Sequence, residues 1–292
     1  MGHITTRFAP SPTGGLHLGH ALSAVIGWHL ARATGGQWQV RMEDLDTSRC
    51  RPEHDDAILA DLAWLGLVPD GPVLRQSTRH PAYAAALAQL RSLGVIYPCQ
   101  CTRADITTAA NAPHGPDGPL YPGTCRTTPA SPQGAAWRLD IARATALAGP
   151  LGFEDASLGT VPITPHLLGD ITIARRDGAP AYHLAVVVDD AHQNVTDVVR
   201  GQDLRPATHP QRLLQALLGL PAPRYHHHPL VTGPDGKRLA KRNHAATLAA
   251  HRAAGQSPAM LRTQALHLAR PLLRQSGQHW PVFAMAASAI DG

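Results

Sequence analysis

Arg7-Phe8-Ala9-Pro10-Ser11-Pro12-Thr13-Gly14, leading into His17-Leu18-Gly19-His20, is the stretch that decides the fold. Ile4 to Ala9 is a short run with apolar flanks and reads as a strand. Pro10 and Pro12 force an extended path after it, and Gly14 and Gly15 permit backbone angles that other residues avoid. From Leu18 onward, Leu22, Val25, Ile26, Trp28 and Leu30 recur at mostly helical spacing. His17 and His20 therefore fall in the first turn of a helix, whose free amides and dipole favour an anion by about 0.3–1 kcal/mol when exposed. Two imidazoles three residues apart face one side and can donate hydrogen bonds to phosphate oxygens as charge builds on phosphorus. A pair of helix-capping histidines is the plainer reading of the same residues. The Pro-Ser-Pro-Thr-Gly that precedes them favours a nucleotide site.

A second basic stretch, Lys237-Arg238-Leu239-Ala240-Lys241-Arg242, follows the turn-rich Thr232-Gly233-Pro234-Asp235-Gly236. Basic runs are commonly solvated faces. On a loop that can swing as a lid, however, a lysine can neutralise a departing pyrophosphate by position alone, and Lys241 is the candidate.

Between these two stretches the pattern alternates. Trp38 to Glu43 reads as a strand, Pro52 to Leu65 as a helix with Pro52 at a favourable first position, and His80 to Leu93 as another helix. Strand and helix resume with Val195 to Val199, His209 to Leu218 and Tyr225 to Val231, and His244 to Ala254 and Ser257 to Arg270 read as helices. Such alternation predicts an α/β doubly wound parallel sheet whose ligands lie beyond the carboxyl ends of the strands. Residues 99 to 180, rich in Pro and Gly and carrying a short strand at Trp137 to Ile141, read as an insertion. The expected division is 1–98 and 181–236 for the two halves of the catalytic domain, 99–180 for the insertion, and 237–292 for the basic loop and a helical end. The last dozen or so residues are expected to be loosely held.

The insertion carries Cys99-Gln100-Cys101 and Tyr121-Pro122-Gly123-Thr124-Cys125. Two thiolates on one short turn and a third from a Pro- and Gly-rich loop supply three of zinc's four tetrahedral positions. His114 or a water is open as the fourth, and a redox pair or free buried thiols is the alternative without metal. Cys50 stands apart from this group. Four cysteines in 292 residues are too few for a disulfide framework.

A hydrophobic content of 43% supports a large core, and a formal charge of +5 suits a polyanionic partner, while the 18 histidines are mostly scattered. His226-His227-His228 lie on a strand-like segment where the middle ring faces away from its neighbours, so one site for all three is not expected. They are read as surface or RNA-facing. No basic and apolar leader and no apolar run long enough to span a bilayer stands in the sequence, so the expectation is a cytoplasmic protein with no membrane partner.

RFAPSPTG with HLGH, MEDLD at Met42 to Asp46, AYHLAVVVDD at Ala181 to Asp190, VVRGQDL at Val198 to Leu204 and KRLAKR, taken in this order, resemble the class I glutamyl-tRNA synthetases over residues 4 to about 255. The resemblance implies a Rossmann-like fold with HxGH and KMSKS-like motifs. It is strongest to the short paralogues that lack the anticodon-binding half. Only Asn243 to Gly292 follow the basic stretch, so, if the chain is complete, no anticodon-reading domain is expected. Those paralogues imply activation of L-glutamate by ATP without tRNA, then transfer to queuosine in tRNA(Asp), by a monomer. A truncated synthetase charging the 3′ end of tRNA(Glu) is the alternative, followed by a small-molecule adenylyltransferase and a non-catalytic RNA-binding paralogue.

A glutamate pocket needs an arginine fork for the side-chain carboxylate and an acid for the amine. By resemblance, Arg7 and Arg200 with Tyr182 hold that carboxylate, Glu43 holds the amine, and Ala9 and Ser11 line the site. Arg7 and Arg200 could instead pair with Asp46 or Asp203 as surface salt bridges, and Tyr182 could be simple packing. Pro10, His17, Gly19, His20, Arg238, Leu239 and Lys241 are implied around ATP, with Mg²⁺ carried on the ATP oxygens. His17, His20 and Lys241 take the catalytic roles. The short paralogues also imply a structural zinc held by Cys99, Cys101, Tyr121 and Cys125. The family's second signature usually has serine where this chain has Ala240, which implies slower activation but not its loss.

Overall fold

The computed structural model describes residues 3–108, 114–115, 118–128, 130–230 and 246–274. The strands are β1 (Thr5–Phe8), β2 (Gln37–Met42), β3 (Leu74–Arg75), β4 (Ile96–Cys99), β5 (His114–Gly115), β6 (Gly118–Pro119), β7 (Ala136–Leu139), β8 (Gly152–Asp155), β9 (Gly159–Pro162), β10 (Thr172–Ala174), β11 (Asp197–Gly201) and β12 (Arg224–His228). The helices are α1 (Leu18–Ala33), α2 (Pro52–Trp64), α3 (His80–Ser92), α4 (Arg103–Thr108), α5 (Thr124–Thr127), α6 (Ile141–Ala148), α7 (Tyr182–His192), α8 (Arg205–Leu218), α9 (Leu248–Ala253) and α10 (Pro258–Arg274).

Seven strands form the main sheet in the order β3-β2-β1-β11-β12-β8-β9. Every pairing is parallel except the β8–β9 hairpin at one edge. The chain leaves β1 through α1 to β2 on one side and returns much later as β11 on the other. Connections therefore diverge above β1 and β11, which opens a crevice at their carboxyl ends.

Helix α1 is apolar on most of its surface, with Leu18, Leu22, Val25, Ile26 and Leu30 all buried. It lies between the sheet and α10, so a one-sided stripe would not serve it. Its last turn reverses tightly into β2 at Gly36, where a Cβ would come within 1.9 Å of the Ile4 carbonyl oxygen. Only glycine fits there. A second core joins the antiparallel sheet β10-β7-β4 to α3, α6, α7 and α8 through residues such as Leu90, Ile96, Leu139, Ile173, Leu184 and Leu213. The insertion is thus cemented to the helices that flank the main sheet.

Several element boundaries differ from the sequence expectation: β12 ends at His228 rather than Val231 and α9 begins at Leu248, after the Thr247 cap, rather than at His244, and two others shift for identifiable local reasons. Helix α8 begins at Arg205 rather than His209, with Pro206 in its first turn, where a missing N–H costs nothing. Strand β11 begins two residues later than expected. Asn194 turns the chain after α7 with φ 52°, and Thr196 first bonds its amide to the Thr5 carbonyl at 2.9 Å. No helix among the described residues is long and apolar enough to cross a membrane.

The three consecutive histidines overturn a sequence expectation. Read as surface or RNA-facing, they are only 6%, 4% and 3% exposed, because β12 lies inside the sheet between β11 and β8. Neighbouring strands supply carboxylates to two of them: His226 Nε2 lies 2.7 Å from Asp197 Oδ1, and His227 Nδ1 lies 2.7 Å from Asp155 Oδ2. His228 lies 2.7 Å from Ser23 Oγ on α1.

Arg200 Nε donates to His227 Nε2 at 3.2 Å, so that nitrogen carries no proton and Nδ1 donates to Asp155. Burial lowers the His227 pKa to about 4, against a partial opposing pull from Asp155. A histidine whose folded pKa lies below its unfolded value of about 6.5 contributes its full stability above that value. The contribution is lost as pH falls toward 4, by at most about 3 kcal/mol. We expect the melting temperature, followed by circular dichroism, to drop between about pH 7 and about pH 5. His227→Gln should be less stable at neutral pH but show a flatter slope in that window; an equal slope would exclude His227 as the titrating group.

Candidate functional site

The crevice between the carboxyl ends of β1 and β11 is a cleft of about 570 Å³. Arg7, Ala9, Pro10 and Ser11 reach it from β1 and the loop that follows, and His17, Gly19 and His20 from the start of α1. Glu43 follows β2, Tyr182 opens α7, and Arg200 sits near the end of β11. The site residues expected from sequence in the described part of the first signature and the amino-acid pocket therefore line one cavity. Arg238, Leu239, Lys241 and Ala240 fall outside the described residues.

His17 is the N-cap of α1, and its Nδ1 accepts from the Gly19 amide at 3.1 Å. His20 Nδ1 accepts from the His17 amide at 3.3 Å, which closes a reciprocal capping box. The two rings stack with centroids 3.7 Å apart. The capping reading of HxGH is therefore correct, and it is compatible with the chemical one. With Nδ1 committed as an acceptor, each neutral ring carries its proton on Nε2, a donor suited to a phosphate oxygen.

The two arginines are not surface residues. Arg7 is 5% exposed and donates from Nε to Asp190 Oδ1 at 3.1 Å and from Nη1 to the Val199 carbonyl at 3.3 Å. Asp46 instead pairs with Arg49, at 2.6 Å. Arg200 is 4% exposed, and its neighbours are neutral: His227 Nε2, Gln211 Oε1 at 2.9 Å, Thr208 Oγ1 at 2.7 Å and the Tyr182 hydroxyl at 3.4 Å. Among the described residues Arg200 forms no salt bridge, so none of them gives this buried guanidinium a directly paired counter-charge. Glu43 is pushed above the ordinary carboxylate range by burial, with Arg41 and Arg7 pulling it back. Asp190 is held below that range because Arg7 and Arg41 outweigh the cost of its burial.

Of the VVRGQDL motif only Arg200 is expected at the site from sequence, yet Gly201, Asp203 and Leu204 also line the cleft. A Cβ on Gly201 would stand 2.5 Å from Asp203 Oδ1 and 3.1 Å from Leu230. The glycine within the motif was the available signal. Ser23 and His228, joined by their hydrogen bond, also line it, and nothing in the sequence pattern pairs them.

A second centre lies in the insertion. The sulfurs of Cys99, Cys101 and Cys125 all fall within 4.8 Å of one another, and this cluster of three cysteines could hold a metal ion. The Tyr121 hydroxyl lies 3.4 Å from Cys99 Sγ and 3.7 Å from Cys101 Sγ, and it accepts from the Cys125 amide at 2.8 Å. Three soft sulfurs and an oxygen around one point fit a tetrahedral ion. Arg138 was not expected: its Nε donates to Cys99 Sγ at 3.3 Å, and its guanidinium lies 3.9 Å over the Tyr121 ring. Burial raises Cys101 to about 11. It opposes ionisation of Cys125 too, but hydrogen bonds led by Tyr121 bring that thiol down to about 7. The His114 side chain lies outside the described residues, and Cys50 is not part of the cluster.

The family of class I tRNA synthetases (E and Q), catalytic domain, matches residues 3–269, and this chain belongs to it. Proteins named Glutamyl-Q tRNA(Asp) synthetase from Rhodobacter capsulatus and Geobacter sulfurreducens are each 48% identical to it. The first alignment covers 89% of this chain and 98% of the relative, the second 90% and 83%. A crystal structure of a glutamate tRNA ligase from Elizabethkingia meningosepticum, in complex with its amino acid, is similar at TM-score 0.70 and 26% identity. That similarity covers 88% of this chain, which spans only 59% of the ligase.

Cobalt(II) titrated into metal-free protein should produce sulfur-to-metal charge-transfer absorption and raise the melting temperature. Cys125→Ser should lose both. An absorption spectrum left unchanged by cobalt would rule out a thiolate centre.

Proposed function

We propose that this protein activates L-glutamate with ATP, without tRNA, and transfers it to queuosine in tRNA(Asp). The observation that carries the amino-acid assignment is Arg200: a buried guanidinium beside Tyr182, with no carboxylate partner among the described residues, asks its ligand to bring the anion. Glu43 opposite supplies the charge for an ammonium group, and Arg7 reaches the same cleft. The names of the relatives support the acceptor. The chain covers nearly the whole of the first relative and little more than half of the solved glutamate ligase.

In this reading the glutamate α-carboxylate attacks the α-phosphorus of ATP in line, forming glutamyl-adenylate and releasing pyrophosphate. Nε2–H of His17 and of His20, with the helix start behind them, stabilise charge on the phosphates. Pro10 and Gly19 flank the nucleotide, Arg238, Leu239 and Lys241 are assigned to its phosphates by their motif, and Mg²⁺ accompanies the ATP. Ala9 and Ser11 line the amino-acid side. No side-chain nucleophile is needed. An acceptor hydroxyl then attacks the activated carbonyl, and AMP leaves. Cys99, Cys101, Cys125 and Tyr121 would hold a zinc ion, which would serve as a structural staple for the insertion. The catalytic unit in this reading comprises 1–98 and 181–236, with 99–180 as the insertion. The protein works as a cytoplasmic monomer.

Pyrophosphate exchange that depends on glutamate and needs no RNA, followed by transfer of labelled glutamate to tRNA(Asp) only when it carries queuosine, is the expected result. Labelling of the terminal adenosine of tRNA(Glu) would overturn the assignment. Lys241→Ala should lower exchange about 100-fold or more, as loss of a single oxyanion donor does. Arg200→Ala should raise KM for glutamate far more than KM for ATP, because it removes a desolvated charge pair.

A further inference from the structure

Ala181 to Asp190 supplies Tyr182 to the cleft, but the two acids that end the motif do not line it. Both are buried, Asp189 at 0% and Asp190 at 6% exposed. Asp189 faces α3 and the segment before it, accepting from Arg79 at 2.6 Å, Gln76 at 2.8 Å and Tyr83 at 2.7 Å. Asp190 faces the site. Its Oδ1 accepts from Arg7 Nε at 3.1 Å and from Arg41 Nη1 at 2.7 Å. Arg41 is 0% exposed and also donates to Gln193 Oε1 at 2.9 Å and Glu43 Oε1 at 3.3 Å.

We propose that Arg41 and Asp190 are positioning residues for the amino-acid site, setting the charge and aim of Arg7 and Glu43 from behind the cleft. This rests on the glutamate reading of the site. Arg41 neutralises two carboxylates that would otherwise repel each other, and by holding one oxygen of Glu43 it leaves the other for the substrate ammonium. Asp190 keeps Arg41 from collapsing fully onto Glu43, and one shared oxygen anchors Arg7 without occupying its whole fork. If Asp190 lost its charge, Arg41 would compete with the substrate for Glu43. If Arg41 lost its fork, Asp190 would draw Arg7 away from the ligand. Neither residue touches substrate, so their influence falls on recognition of the amino acid.

The test uses the full chain and glutamate-dependent pyrophosphate exchange, with KM measured for each substrate and glutamate binding measured by calorimetry. Arg41→Lys keeps a charge, but one ammonium cannot serve Asp190, Gln193 and Glu43 together. It should raise KM for glutamate about tenfold or more and leave KM for ATP within about twofold. Asp190→Asn should show the same split, and if it does not fold, Arg41→Lys decides alone. Asp189→Asn, whose partners lie outside the cleft, should lower the melting temperature without the split. Both KM values moving together, or neither moving, in Arg41→Lys would overturn the proposal. Wild-type protein that fails to exchange with glutamate would overturn the function itself.

Discussion

Parallel pairing of β1 with β11 is the constraint on which the site depends. It sets the strand bearing Arg7 beside the strand bearing Arg200, although the two residues are 193 positions apart in sequence. Parallel neighbours need a long crossover, and here the crossover contains the whole insertion. Each strand ends where the other ends, so two buried cations share one crevice. Desolvating both would be costly without compensation. The fold compensates them differently, since Arg7 receives a carboxylate from α7 whereas Arg200 receives neutral acceptors from α7, α8 and β12. The first cation is tied into the structure by its ion pair. The second is left unbalanced among its described neighbours.

The parts legible in the sequence were those that local rules govern. Strand β1, helix α1 and the two helices opened by Pro52 and near Pro81 follow from apolar period and proline position. The first-signature residues and the acid after β2 gather in one cleft because a doubly wound sheet puts strand ends together whatever the loops do. The capping box was legible only as an alternative to a chemical role. The two readings do not compete, since binding Nδ1 to the helix backbone is what places the ring proton on Nε2.

What sequence could not show depends on pairings over long separations. Nothing near His226-His227-His228 announces Asp155 or Asp197, which arrive from β8 and β11 and turn an apparently polar edge into an interior strand. Asp189 and Asp190 are adjacent in sequence and chemically identical. One staples α3 and the other faces Arg7 and Arg41, and only the helix rotation between them separates those roles. Arg138 likewise reaches the cysteine cluster from β7, where its register opposite Tyr97 on β4 was not foreseeable.

The buried histidine strand ties stability to recognition. His227 must stay neutral to accept from Arg200, and the same proton state lets it donate to Asp155. A proton on Nε2 would place a second cation against a guanidinium that already lacks a carboxylate, with nearby Arg205 adding to the repulsion. Arg200 would then give up one of the contacts that aim its fork. The same neutral state therefore holds the strand together and aims Arg200, and burial preserves it in the folded protein down to about pH 4. Burial acts on Glu43 in the same way, favouring its neutral form, with Arg41 and Arg7 pulling it back. The packing that gives Arg200 only neutral hydrogen-bond partners among the described residues is thus the packing that keeps His227 from charging beside it.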